Sequence, residues 1–225
     1  MELKDVIEQR RSVRGYLHKP VPKEMLTRIL AIATRAPSTK NTQPWHFYVV
    51  AEEPLEQLKR ANVERFRSSE DPPEEMAHIV IEPEKGTVYR ERQVDIAKRL
   101  FNVMGIERED KAKRMAWMER GFRYFDAPAA IILAGDKSRP IEGVYLDAGL
   151  VIQNICLAAV DFGLATCIEN QGIIYSDVIR EIVQIPDDKR LLVAIAIGYP
   201  DWDFPANQVI SPREDVENVI TWCGV

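Results

Sequence analysis

Glycine is scarce where nucleotide-binding chains concentrate it. The 225 residues hold eleven glycines, and none of them builds a G-x-G-x-x-G fingerprint or a Walker loop, so neither a dinucleotide fold nor a P-loop is expected. The G-x-S-x-G elbow of the α/β-hydrolases is missing too. Cysteines number three, Cys156, Cys167 and Cys223. Being odd in number and without metal-ligand spacing, they predict no disulfide framework and no zinc site. His18, His46 and His78 are scattered, with no metal-binding pair at helical spacing. His46 falls in an apolar stretch and reads as a packed histidine rather than a base. Cys167, Asp147 and Asp161 have no nameable catalytic partner. No metal is expected and no side chain stands out as a nucleophile, so chemistry, if present, belongs to a cofactor.

Net positive charge is also lacking. At −5, the chain does not look like a nucleic-acid protein, because phosphate backbones recruit basic surfaces. No apolar run approaches the roughly 20 residues needed to span a bilayer, and MELKDVIEQR is charged and amphipathic, without a signal peptide's apolar region. A cytoplasmic protein without membrane contacts is the expectation. What is present is ordinary globular material, 46% apolar and 29% charged, in a length that suits one domain over residues 1–225.

Residues 22–36 read as an amphipathic helix, with Pro22 in its first turn and Pro37 beyond its end. WHFYVV (45–50) reads as a buried strand, and a Leu/Glu/Lys-rich helix follows from about residue 54. Residues 68–126 change character: an acidic, turn-prone stretch precedes charged amphipathic segments near 87–104 and 108–122. They read as a helical excursion from the domain. AAIILAG (129–135) returns to strand composition. Residues 144–165 are apolar nearly all round, so that helix must be enclosed on every side, and a second subunit is expected to supply part of the cover. A helix over 175–185 and a central strand over 190–200 complete an α+β (mixed α/β) domain with a central sheet.

Two polar stretches stand out. EQRRSVRGY (8–16) gathers Arg10, Arg11, Ser12 and Arg14, forked donors suited to a phosphate. Solvated charge cluster and phosphate half-site both remain open for it. PSTKNTQPW (37–45) carries Ser38, Thr39 and Asn41. Such a loop could bind a polar heterocycle or satisfy its own backbone as a run of turns.

In order and distance, these stretches resemble the FMN-dependent nitroreductase family. RRSVR followed by AP-S-x-x-N-x-QPW is similar to the family's two-part N-terminal signature. GLATCIE resembles its flavin-edge segment, AIAIGYP its late strand, and SPREDVENVITW its C-terminal stretch, with Arg213 at the arginine position. Asp215 stands where that stretch usually has proline. The middle, MGIEREDKAKRMAWMERGFRYFDAP, resembles the branch containing nitrobenzoate-type reductases.

The resemblance implies a nitroreductase-like fold with a mainly antiparallel sheet, and a C-terminal tail wrapping a partner subunit in a homodimer. It implies FMN bound by Arg10, Arg11, Ser12, Arg14 and Arg213, with Ser38, Thr39 and Asn41 reaching the flavin held mainly by the other subunit. Ile168, Glu169 and Asn170 would run past the flavin edge. No catalytic side chain is implied: NADH or NADPH would reduce FMN at N5, and a small aromatic acceptor, nitroaromatic or quinone, would take two electrons in a ping-pong cycle. Dehalogenation, alkene reduction, flavin cleavage and a non-catalytic flavin carrier or sensor are the alternatives. Phe122, Tyr124 and Phe125 of the excursion, with Phe101 and Trp117, are candidates to line an acceptor pocket or simply to pack the excursion down. Arg120 or Arg123 could attract a carboxylated acceptor.

Overall fold

The computed structural model describes residues 1–79 and 82–224, without the side chains of Ala77 and His78. His78, and residues 80–81 of the excursion, therefore lie outside what is described. A short helix, α1 (Leu3–Gln9), leads through an extended arm to α2 (Lys23–Ala33), for which Pro22 is the N-cap. Strand β1 (Trp45–Ala51) runs straight into α3 (Glu52–Arg67). The excursion holds α4 (Val88–Val103) and α5 (Lys111–Phe122). Each starts at a residue built for it. Thr87 accepts from the Arg90 N–H and Asp110 from the Lys113 N–H, satisfying donors that a helix start leaves free. Then come β2 (Ala129–Asp136), α6 (Ile141–Asp161), β3 (Ala165–Glu169), α7 (Ser176–Val183) and β4 (Lys189–Gly198). Gln184, in the left-handed region, stops α7, and Pro186 follows.

The sheet has strand order β1-β2-β4-β3 and is antiparallel throughout. Its central strand shows why buried strands lose the alternation of polar and apolar residues. Ala130, Ile132 and Ala134 of β2 face one core with α3 and α7, while Ala129, Ile131 and Leu133 face the other with α2 and α6. Both faces are covered, so every position but the last, Asp136, is buried and lacks a polar side chain. A bulge between Leu133 and Ala134 shifts the register with β4. The extra residue sends Leu191 to the first core and both Leu192 and Val193 to the second.

Two expectations change, and a third is met in part. WHFYVV forms an edge strand, not a buried one; His46 and Val49 are exposed, because no described strand covers the outer side of β1. The long apolar helix is enclosed only in part by its own chain, leaving open the side for which a second subunit was expected: Leu146 is 64% and Leu150 39% exposed on the side of α6 turned away from the sheet. At 21 residues, α6 is also long and apolar enough to cross a membrane by length and composition alone, contrary to the absence of any such run read from the sequence. Here it packs on the sheet through Val144, Val151 and Ile155.

Candidate active site

The N-terminal arm lies along the open edge of β3. Ser12 bridges Thr166 in parallel, the Val13 N–H donates to the Thr166 carbonyl at 3.0 Å, and Tyr16 bridges Pro200. Val13 is buried, and its neighbours Ser12 and Arg14, which alternate with it along the extended arm, are half-buried. A fully buried Asn207 holds this geometry from the far end of the chain. Its Oδ1 accepts from the Arg14 N–H at 2.7 Å, and its Nδ2 donates to the carbonyls of Gly15 (2.8 Å) and Asp201 (2.7 Å). Gly15 itself is required by proximity, since a Cβ there would collide with the Phe204 ring.

The cations of the arm are uncompensated. Among the described ion pairs, none engages Arg10, Arg11, Arg14 or Arg213. Arg11 stacks on Trp202 at 4.5 Å, and its Nε is buried without a hydrogen-bond partner. Arg14 donates to the Ser12 carbonyl (3.3 Å) and lies 5.9 Å from the Phe125 ring. In a chain of net charge −5, three neighbouring arginines thus stand without carboxylate partners.

Arg14 opens onto a cavity of about 300 Å³. Cys167, Ile168, Glu169, Asn170 and Gln171 line one side of it, and Trp117, Met118 and Phe125 of the excursion another. β3 is buried at four of its five positions; the exception is Ile168, 40% exposed. That exposed aliphatic surface offers apolar contact to a flat ring. A larger opening of about 400 Å³ runs along α6 beside Gly149, Ile152 and Leu192, but no charged side chain lines it. The smaller cavity has the chemistry.

Beneath it sits Glu169, whose side chain turns inward. Oε2 accepts from the Gly172 N–H at 2.7 Å, while Oε1 is buried without a partner. Burial pushes this carboxyl up to about 8, with the backbone N–H groups of Gly172 and Gln171 opposing the shift. A Cβ on Gly172 would collide with both Glu169 and Tyr124. Cys167 is buried, and burial pushes its thiol up to about 12, which makes it a packing group rather than a nucleophile.

Of the excursion aromatics, Phe125 and Trp117 reach the cavity. Phe122 and Tyr124 lie behind its wall. Phe122 stacks between Phe66 and Tyr175, and Tyr124, fully buried, donates from its hydroxyl to the Gly172 carbonyl at 2.6 Å. Phe101 meets Arg114 instead. Arg120 and Arg123 are both committed elsewhere. Arg120 pairs with Asp126 at 2.8 Å and donates to the carbonyls of Arg14 (3.0 Å) and Phe125 (3.3 Å). Arg123 pairs with Glu119 at 2.6 Å and with Asp126 at 2.8 Å.

The remaining sequence candidates stand apart within the single chain. Thr39 donates its N–H (3.0 Å) and hydroxyl (3.3 Å) to the buried Asp147 of α6. The Ser38 Oγ accepts from the Gln43 N–H at 2.9 Å, and Asn41, in the left-handed region, accepts from the Gln43 side chain. The loop satisfies its own backbone in part, yet Thr39 and Asn41 stay exposed, away from the cavity. Arg213 donates to Ser211 and Pro212 within an exposed tail, and no contact joins it to Arg10, Arg11 or Ser12. Asn207, Met118 and Gln171 were not anticipated. A lone asparagine in a Pro-rich stretch carries no local signal for a partner so distant in sequence.

Comparison with known proteins places this antiparallel α+β fold. The nitroreductase family profile matches residues 7–199, and the chain belongs to that family. It is 35% identical over 222 residues to the nitrobenzene nitroreductase of Ectopseudomonas oleovorans, covering 97% of this chain and 95% of the relative. The 4-nitrobenzoate reductase of Pseudomonas putida is 29% identical, covering 97% of this chain and 94% of its own. The solved FMN and NADPH-dependent nitroreductase NfnB from Sphigopyxis sp. strain HMH superposes with a TM-score of 0.92, at 30% identity and full coverage of both chains.

Proposed function

We propose that this chain is an FMN-dependent oxidoreductase that uses NADH or NADPH to reduce nitroaromatic or quinone-type acceptors. One observation carries the reading: Arg14, without a carboxylate partner and on the same arm as the unpaired Arg10 and Arg11, lines a cavity that Trp117 and Phe125 also line. The residues fit the cofactor. Arg10, Arg11 and Ser12 offer a phosphate forked, charge-assisted donors, and the orphaned Arg11 Nε has a partner to gain. Bound FMN supplies hydride exchange at N5, accepting from the nicotinamide and delivering to the acceptor in a ping-pong cycle. Arg14 places a fixed positive charge at the cavity, where it stabilises the negative charge that two-electron reduction leaves on the pyrimidine edge. Ile168 and the backbone of 168–170 bound the ring, and Trp117 and Phe125 exclude water from the acceptor side.

The exposed stripe of α6, the 38–43 loop and the exposed tail fit a cytoplasmic homodimer. In it the tail wraps the partner, and Ser38, Thr39 and Asn41 reach the partner's flavin. In this assembly the 68–126 excursion is part of the single domain and covers the acceptor.

The purified protein is expected to be yellow or to bind added FMN. NADH or NADPH added anaerobically should bleach it, and a nitroarene should restore the colour. A colourless protein that FMN cannot reconstitute would sink the proposal; flavin that neither donor bleaches would make the protein a carrier. Arg10→Ala and Arg14→Ala should each weaken FMN binding by roughly 10- to 100-fold, the scale of a lost charged hydrogen bond. Arg213→Ala belongs in the same titration, since its guanidinium reaches the phosphate only if the tail rearranges.

A further inference from the structure

The acceptor wall is electrically closed. Trp117, Met118 and Phe125 present an apolar surface to the cavity, and the amides of Asn170 and Gln171 border it. The cations next to that wall are turned to carboxylates and carbonyls outside the cavity. Arg123 spends Nε and Nη2 on Asp126 and Nη1 on Glu119. Arg120 spends Nη1 on Asp126 and Nη2 on the carbonyls of Arg14 and Phe125; its face lies on Phe204 at 4.8 Å, and its Nε is buried without a partner. Arg67 closes on the second oxygen of Glu119 at 2.7 Å from the outer surface of α3. Neither Arg120 nor Arg123 lines the cavity.

Arg14 is the one cation lining the cavity among the described residues, and on the flavin reading it is occupied by the cofactor. We infer that the acceptor site selects neutral aromatic acceptors and rejects carboxylated ones, because a benzoate-type carboxylate entering it would meet no free guanidinium. This rests on the proposed flavin chemistry and adds the charge class of its acceptor. The physical basis is desolvation. A carboxylate moved from water into this cavity finds the neutral amides of Asn170 and Gln171 but no cation left to pair with, and it faces Glu169, so it recovers only part of its hydration, whereas an uncharged ring of the same size loses little. The same arrangement holds the wall in place. Asp126 lies in the left-handed region and binds both arginines, so the turn that presents Phe125 is stabilised by the charges it hides.

The test uses the FMN-loaded protein with its better nicotinamide donor. Nitrobenzene, 4-nitrobenzoate and methyl 4-nitrobenzoate serve as acceptors, the ester controlling for bulk. We expect kcat/KM for 4-nitrobenzoate to be at least about tenfold below that for nitrobenzene, an unpaired charge costing on that order or more, with the ester close to nitrobenzene. Benzamide and benzoate, nearly isosteric, give a readout independent of turnover: perturbation of the flavin spectrum should show benzamide binding at least tenfold tighter. Met118→Lys, an exposed site on α5, should raise the ratio of 4-nitrobenzoate to nitrobenzene kcat/KM several-fold. Asp126→Asn, which keeps a residue tolerant of the left-handed region, should act in the same direction by releasing the arginines. Equal use of 4-nitrobenzoate and nitrobenzene by the unaltered protein overturns the inference while leaving the proposed function standing. Rejection of the ester along with the acid overturns it as well, because size rather than charge would then decide. A flavin reduced by NAD(P)H that none of the three reoxidises overturns both.

Discussion

Asn207 and Glu169 are two buried polar residues with opposite fortunes. Every hydrogen-bonding atom of the Asn207 amide oxygen and nitrogen finds a partner on the arm or the turn that precedes it. Asn207→Ala would leave the Arg14 N–H and the Gly15 carbonyl without those partners, and a loss of about 1–3 kcal/mol is expected in denaturant unfolding. Loosening of FMN should accompany it, because Arg14 loses its anchor. Glu169 is only half satisfied, with Oε1 orphaned. Its folded value of about 8 lies above its ordinary 4.5, so between those values the folded state holds a proton that the unfolded chain has released. Stability from this group is therefore fullest below pH 4.5 and falls as the pH rises towards 8. Glu169→Gln removes that titration. Its unfolding free energy, followed from pH 5 to 9, should decline less steeply than that of the unaltered protein; parallel curves would show that the carboxyl is not perturbed by burial.

At the scale of elements, sequence and structure agree where one local rule decides. β2, covered on both faces, is apolar at nearly every position, and α4 and α5 fall close to the expected 87–104 and 108–122 because capping and periodicity reinforce each other. Agreement fails where tertiary position decides. WHFYVV has the composition of a buried strand, yet nothing in those six letters states that β1 would be an edge. β3 was legible only as a resemblance to a flavin-edge segment. Its five residues, ATCIE, are too few for periodicity to register, and pairing with β4 is what makes them a strand. The site divides the same way. The arginine arm could be read from charge and order, and so could Phe125. That Phe122 and Tyr124 would turn into the core could not, because the left-handed residues at Tyr124–Asp126 reverse the chain there and aim neighbouring side chains in opposite directions. Arg120 and Arg123 looked available because sequence shows a cation but not its partner.

For the molecule as a whole, the unfinished surfaces share one theme. Leu146 and Leu150 on α6 are exposed, as are Val216, Val219 and Trp222 of the tail, the last at 73%. An apolar stripe and an apolar strap left open on one chain are complementary to a second copy of it. On the proposed homodimer, Leu146→Glu should shift sedimentation from dimer to monomer and release FMN with it; a variant that stays dimeric would place the interface elsewhere.

The Asn207 clasp also has a consequence in time. Arg14 and the residue that fixes its backbone are 193 positions apart. Emerging from the ribosome, the arginines come almost first and their anchor almost last, and closing so long a loop is entropically unfavourable until the intervening sheet has formed. A nascent chain carries the cations for many seconds before it can arrange them. If the arm binds the proposed cofactor, capture is therefore a late event in the life of each molecule, after the polypeptide has passed residue 207.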